Sequence, residues 1–123
     1  RTRLASELPA NGSLGPRRIL ARVPHEHGKP DGSTVDSEGC IWSANWEGGK
    51  VIRYTPNGAI SSLMRVAAAC PTSCTFGGPA LDVLYVTAAL AGPPPDLDDP
   101  RPAGSLLALA GLGRGREDMP FAG

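Results

Sequence analysis

The tripeptide Pro30-Asp31-Gly32 places an acidic side chain at a restricted point of the backbone, just before a predicted strand. Proline fixes its own φ angle and glycine allows close approach of the backbone, so the position of Asp31 is well defined. A carboxylate held in this way can bind a divalent cation or act as a general base. Pro-Asp-Gly is also common in type I and type II turns, and the pattern alone favours that structural role.

The three cysteines, Cys40, Cys70 and Cys74, are the next candidates for metal ligands. Cys70 and Cys74 have a spacing found in some zinc sites, but no second pair of ligands follows them. His25 and His27 could complete such a site only if the fold happened to bring them close. The number of cysteines is odd and too small for a disulfide framework. We therefore expect small, buried residues in strands rather than a zinc site.

Length, charge and hydropathy exclude several classes of protein. A chain of 123 residues is enough for one small domain, and its formal net charge of +0 gives no electrostatic basis for a nucleic-acid or membrane-surface partner. No apolar run approaches the roughly 18–20 residues of a membrane span. The first residues, "RTRLASELPANG", lack the apolar core of a signal peptide, so the expected location is the cytoplasm.

The elements that position these residues are predicted to be strands. The 16 glycines and 13 prolines separate short apolar runs, and helix signals are poor throughout, so the expected fold class is all-β. Asn57-Gly58 is a strong hairpin signal, and "WEGG" connects two other runs. Four antiparallel strands are predicted, at residues 33–39, 40–45, 50–56 and 59–66.

This four-stranded pattern recurs along the chain. Pro30 and Pro71 lie 41 residues apart, and the second strand after each carries an aromatic residue at the same place, Trp42 and Tyr85. A four-stranded unit that repeats every 40 to 45 residues, roughly, is typical of a β-propeller blade. The unit is predicted to be antiparallel throughout.

The repeat divides the chain into about two and a half blades. Residues 1–29 are the end of one blade, residues 30–70 a complete blade, and residues 71–123 a last blade with a Pro-rich insertion at 90–104. Propellers close with about four to eight blades, and a repeat cannot bury its apolar faces alone. We therefore expect missing N-terminal blades, or self-association, to cover the faces that this chain leaves exposed.

Three motifs occur in the order of the closing blades of a known family: "PDGSTVDSEGCIWSANWEGGKVIRYTPNG", "PTSCTFGGPALDVLYVTAA" and "AGSLLALAGLGRGREDMPFAG". From about Gly12 to Gly123 the chain resembles the gluconolactonase and senescence-marker-protein (regucalcin) family of sugar-lactone hydrolases. The resemblance implies a partial β-propeller of the six-bladed kind. Two departures are Ser33, where the family usually has an apolar residue, and Glu47 in the "NWEGG" turn.

The resemblance also implies a metal site and a reaction. The family binds one divalent cation (Ca²⁺, Zn²⁺, Mn²⁺ or Mg²⁺), and its Pro-Asp-Gly aspartate, here Asp31, is a ligand and general base. Water then attacks a lactone carbonyl that the cation polarises. The family's other protein ligands, a Glu and an Asn, precede the region present here, so the site in this chain is incomplete. The alternatives are a non-catalytic calcium-binding regulatory propeller, or an inactive fragment that associates through exposed blade edges.

Other residues receive two interpretations each. Thr72, Ser73 and Cys74, on the inner strand of the next blade, could line the channel, or could pack in the strand with a hydroxyl bonded to the backbone. Asp36 is expected to tie a turn rather than to bind metal. Trp46 could form a wall of the pocket or cover the hairpin beside it.

Overall fold

The computed structural model describes residues 1–90 and 104–118, and these form antiparallel sheets with a single 3-10 turn as their helical element. None of the described residues forms a helix long and apolar enough to cross a membrane. In chain order the elements are β1 (Thr2–Ala5), β2 (Arg18–Arg22), the 3-10 turn (His25–His27), β3 (Lys29–Val35), β4 (Ile41–Trp46), β5 (Lys50–Tyr54), β6 (Ile60–Arg65), β7 (Pro71–Gly77), β8 (Val83–Ala88) and β9 (Leu106–Ala110).

The strands form three sheets in the order in which they occur. Strands β1 and β2 pair with each other, β3 to β6 form a four-stranded meander, and β7 to β9 form a three-stranded one. The meander of β3 to β6 has the four antiparallel strands predicted for residues 33–66, with Asn57-Gly58 in the connection between β5 and β6. The boundaries at residues 29/30 and 70/71 stay predictions. Most of the Pro-rich insertion at 90–104, and the final "PFAG", lie outside the described residues.

The inner strand of the complete blade begins earlier than the sequence pattern indicates. Strand β3 starts at Lys29, not at Ser33, so Asp31 lies inside the strand and Pro30-Asp31-Gly32 is not a turn. A proline biases the residue before it towards extended backbone, and it is tolerated in a strand that has an unpaired edge. Strand β3 is such an edge strand, since β4 is its partner within the sheet.

Asp31 and Gly32 form a β-bulge. Pro30 pairs with Asn45 and Ser33 with Ser43, so two residues of β3 face only Ala44 on β4. Strand β7 carries an extra residue at the equivalent place, where Thr72 lies between the paired residues Pro71 and Ser73. Bulges re-aim side chains and are common beside active sites. The 41-residue repeat therefore preserves an irregularity of the backbone as well as the strand pattern.

Two apolar layers hold the sheets together. Between the second and third sheets, the Trp42 and Phe76 rings meet edge to face with centroids 5.7 Å apart. Between the first and second sheets, Ile52 and Tyr54 pack with Ala21 and with Val23. Strands β4 and β5 are thus buried on both faces, as expected for the middle of a stacked blade.

Backbone contacts reinforce this stacking on both faces of the second sheet. Gly58, with a φ of +89°, leaves no room for a Cβ against the carbonyl oxygen of Leu20 in β2. At the other side, Gly115 forms a bridge with Asp36, and its amide donates to the carbonyl of Leu81 at 2.7 Å. The C-terminal segment therefore ties together the turns that follow the two inner strands.

Candidate functional site

The carboxylate of Asp31 is exposed and has no polar partner among the described residues. Asp31 lies at the bulge of β3, and its carboxylate makes no hydrogen bond or ion pair with any other described residue. A carboxylate in a structural role is normally engaged by backbone amides or by a cationic side chain. The geometry of Asp31 therefore fits an oxygen ligand for a hard cation or a base for a water molecule.

The backbone of Asp31 is held by Arg3, from β1 of the preceding sheet. Nη2 of Arg3 donates to the carbonyl oxygen of Asp31 at 2.6 Å and also to the hydroxyl of Ser43. Nη1 donates to Oγ of Ser33 at 3.2 Å. Burial lowers the pKa of Arg3 below its ordinary value, and the charge of Asp31 opposes this to a smaller extent. The guanidinium remains protonated at neutral pH in either case. Sequence reasoning missed Arg3 because no motif surrounds it.

Gly32 allows the two inner strands to approach closely. A Cβ on Gly32 would lie 2.6 Å from Cβ and 2.8 Å from Cα of Ser73 on β7. The glycine of Pro-Asp-Gly is therefore required by the neighbouring blade, a reason that the tripeptide alone does not contain.

Replacing Gly32 with alanine is expected to destabilise the protein by about 1–3 kcal/mol, the usual cost of overpacking, and to weaken cation binding by displacing the bulge. Replacing Ser73 with glycine in the same chain removes the Cβ and the hydroxyl, and is expected to restore part of both losses. Thermal unfolding and cation titration of the single and double variants measure this coupling. Gly15→Ala is the control, because a Cβ there meets its nearest atom at 3.4 Å. The contact would be contradicted if Gly32→Ala and the double variant lost the same stability and the same cation affinity.

The residues predicted to line the channel differ in their surroundings. Oγ1 of Thr72 lies 2.7 Å from Oγ1 of Thr87 and donates to its carbonyl at 3.2 Å, as in the strand-packing alternative. Cys74 is buried, and its thiol donates to the carbonyl of Trp42 at 3.4 Å. Ser73 is exposed in a groove between β3 and β7, close to Ser33. That Thr72 and Ser73 line a channel stays a prediction.

The cysteines are buried and unpaired, as the sequence indicates. Burial raises the pKa of Cys74 to about 11, so its thiol is protonated and a poor ligand at neutral pH. Nε2 of His25 lies 3.3 Å from Nη2 of Arg1, within hydrogen-bond distance. No zinc-type cluster of these cysteines with the histidines occurs in residues 1–90 and 104–118.

Asp36, Glu38 and Cys40 are the one metal-compatible cluster in the described part of the chain, but the interactions of Asp36 are structural. Its Oδ1 accepts the amides of Glu38 and Cys40 at 3.0 and 2.9 Å. Its Oδ2 accepts Nε1 of Trp42 at 2.9 Å and Nε of Arg53 at 2.7 Å. Because both carboxylate oxygens already accept hydrogen bonds and one faces the positive guanidinium of Arg53, a cation would bind weakly here. Asp36 therefore stabilises the turn, as predicted.

Trp46 ends β4 beside the turn that precedes β3. Gly28, with a φ of +80°, lies so close to the carbonyl of Trp46 that a Cβ would not fit. The next residue, Glu47, pairs with Lys29 through Oε2 and Nζ at 2.5 Å. This turn and the β4–β5 hairpin therefore hold the first residue of β3, Lys29, which lies two residues before Asp31.

Comparison with known proteins identifies the family. Residues 4–90 match the family described as "SMP-30/Gluconolactonase/LRE-like region". The match covers more than half of the chain. The chain therefore belongs to this family, as the motifs predicted.

Individual relatives agree with this assignment. Pentonolactonase XacC of Haloferax volcanii is 47% identical over 78 residues, which is 63% of this chain and 27% of that protein. Regucalcin of Xenopus laevis is 36% identical over 115 residues, 91% of this chain and 38% of that protein. The solved structure of a calcium-binding protein, regucalcin, from Agrobacterium tumefaciens has a TM-score of 0.77 and 30% identity, covering 92% of this chain and 39% of that one.

These matches confirm the predicted fold class, an all-β chain built from β-propeller blades. The chain spans well under half the length of each of these relatives.

Proposed function

We propose that this chain supplies some of the blades of a sugar-lactone hydrolase that depends on a divalent cation, with Asp31 as one ligand and as the general base. The observation that carries the proposal is the exposed carboxylate of Asp31, unengaged among the described residues, at the bulge of an inner strand. Membership of the gluconolactonase family and similarity to a pentonolactonase support the substrate class. Similarity to a calcium-binding protein supports the cation.

The reaction would be hydrolysis of a cyclic ester. The bound cation would polarise the lactone carbonyl and lower the pKa of an attacking water. Asp31 would orient that water and accept its proton while the water oxygen bonds to the carbonyl carbon. The bond from that carbon to the ring oxygen breaks, and the proton reaches the released alcohol, leaving an open-chain hydroxy acid.

One carboxylate does not hold a hard cation against water, because Ca²⁺ takes about six to eight oxygen ligands. The remaining protein ligands would come from further blades of the same propeller. Exposed apolar side chains on β1 and β9, the edge strands of the first and third sheets, support this arrangement: Leu4 is 53% exposed and Leu106 63%. Further blades would cover these faces.

The second candidate is a calcium-binding propeller without turnover, and the description of the solved relative as a calcium-binding protein favours it. Both functions use the carboxylate of Asp31. They differ in whether binding of the cation leads to hydrolysis.

The test is an assay of the full-length protein with five- and six-carbon aldonolactones, following acid release with a pH indicator. Hydrolysis is expected to disappear after treatment with a chelator and to return with Ca²⁺, Zn²⁺, Mn²⁺ or Mg²⁺. Cation binding without turnover on any lactone would favour the calcium-binding candidate. Absence of both would contradict the two proposals together.

A further inference from the structure

We infer that Arg3 is a positioning residue for the proposed site: it reaches from the preceding sheet to fix the bulge that aims Asp31. The inference rests on the proposed function, since it concerns the same carboxylate. Arg3 lies 28 residues before Asp31 in the chain, on β1, whereas Asp31 lies on the inner strand of the next sheet. It would be a residue of the site contributed by a neighbouring blade.

The bulge has a hydrogen-bond partner from outside its own sheet. Two residues of β3, Asp31 and Gly32, face Ala44 alone, so the ladder of β3 and β4 is interrupted at this point. A protein donor to a backbone carbonyl at such an interruption restricts the conformations of the bulge, which water alone would not do. Nη2 of Arg3 supplies that donor at 2.6 Å from the carbonyl oxygen of Asp31.

The guanidinium of Arg3 also spans the whole irregular segment. Nη1 binds the hydroxyl of Ser33, where regular pairing resumes, and Nη2 also binds the hydroxyl of Ser43, the residue paired with Ser33. Ser43 is fully buried, so this contact anchors the guanidinium against the middle of β4. A planar guanidinium presents several donors in a fixed fork, which a lysine ammonium does not.

The guanidinium of Arg3 makes no hydrogen bond or ion pair with the carboxylate of Asp31, although the two charges attract each other. The oxygens that accept from Arg3 belong to a carbonyl and to two hydroxyls, and Arg3 forms no ion pair with a described carboxylate. Hydrogen bonds from a charged donor are stronger than those from a neutral one. Arg3 therefore stiffens the backbone of Asp31 while its carboxylate stays available to a cation.

The test compares Arg3→Met and Arg3→Lys with a matched control, Arg22→Met, in the full-length protein. Arg22 is an exposed arginine of the same two-stranded sheet, paired with Thr2. Loss of groups that orient a metal ligand typically lowers metal affinity or activity by about 10–100-fold. Arg3→Met is expected to weaken Ca²⁺ binding and lower kcat in this range, and Arg3→Lys is expected to restore part of the loss. The control is expected to match the wild type.

A purely structural role would lower stability and leave the cation affinity of the folded protein unchanged, so calorimetric Ca²⁺ titration is done below the unfolding temperature of each variant. Amide hydrogen exchange over residues 29–35 is measured in parallel and is expected to accelerate in Arg3→Met but not in the control.

If Arg3→Met does not fold, the same measurements are made on Arg3→Lys. Wild-type affinity and kcat in the Arg3 variants would overturn the inference while leaving the proposed function intact. A wild type that neither binds Ca²⁺ nor hydrolyses lactones would remove the proposed function and the inference together.

Discussion

Replacement of Asp31 with alanine is expected to abolish lactone hydrolysis and to weaken cation binding in the full-length protein. In the proposed mechanism the variant loses a ligand oxygen and the base at once, and general base catalysis alone contributes about 10²–10⁴-fold. Asp31→Asn separates the two roles, because its amide oxygen can still bind a cation but cannot take up a proton at neutral pH. We expect turnover by Asp31→Asn to be as slow as turnover by Asp31→Ala, with a cation affinity between that of Asp31→Ala and that of the wild type.

The matched control for this experiment is Asp82→Ala, an exposed aspartate in the turn between β7 and β8. Lactone turnover and calorimetric cation titration are measured on all four proteins after removal of bound metal. Near-normal turnover in Asp31→Ala would remove Asp31 from the mechanism. Slow turnover with undiminished cation affinity would keep Asp31 as a base but not as a ligand.

Replacement of Asp36 with alanine is expected to cause a large loss of stability, about 3 kcal/mol or more. Asp36 is buried and accepts four hydrogen bonds, and its removal leaves the amide of Cys40, the indole of Trp42 and Nε of Arg53 without their acceptor. Glu38→Ala is the control, since Glu38 is exposed and contributes only a surface ion pair with Arg53. Chemical unfolding of the two variants should differ by more than 1 kcal/mol, roughly, and equal stabilities would contradict the role of Asp36.

The same carboxylate predicts how stability depends on acidity. Although burial raises the pKa of Asp36, hydrogen bonds from Trp42 and Cys40 and the charge of Arg53 outweigh it, and the pKa is lowered from its ordinary value of 3.8. A depressed pKa in the folded state means that the stabilisation is complete above the ordinary value and is lost as the pH falls through the folded value. Below about pH 4 the difference in the free energy of unfolding between the wild type and Asp36→Ala should therefore become smaller. A gap that stays constant there would show that the charge of Asp36 is not what stabilises the turn.

Much of the fold could be predicted from the sequence because its signals are local. Glycine-containing turns and aromatic residues at matching places indicate four-stranded units, and the sheets and their order follow. The predicted start of β3 was wrong because Pro30-Asp31-Gly32 has the composition of a turn. In the folded protein Gly32 packs against Ser73, 41 residues later, and local propensity does not contain that contact.

The candidate site divides in the same way. Asp31 could be found because it belongs to a motif, and Asp36 because its place at the end of an inner strand suggests a turn. Arg3 could not be found, since its contacts to Asp31 and Ser33 exist only when two sheets stack. Residues that act across blades leave no spacing in the sequence by which to recognise them.

The bulge shared by β3 and β7 also bears on how such a protein changes over generations. Duplication of a blade copies the irregular backbone along with the strands, and each copy then offers one displaced residue, here an aspartate in one blade and a threonine in the next. A copy can gain or lose a carboxylate by a change of one residue while its ladder and its apolar faces are untouched. The number of carboxylates at these bulges can therefore change blade by blade, with selection on chemistry largely separate from selection on folding.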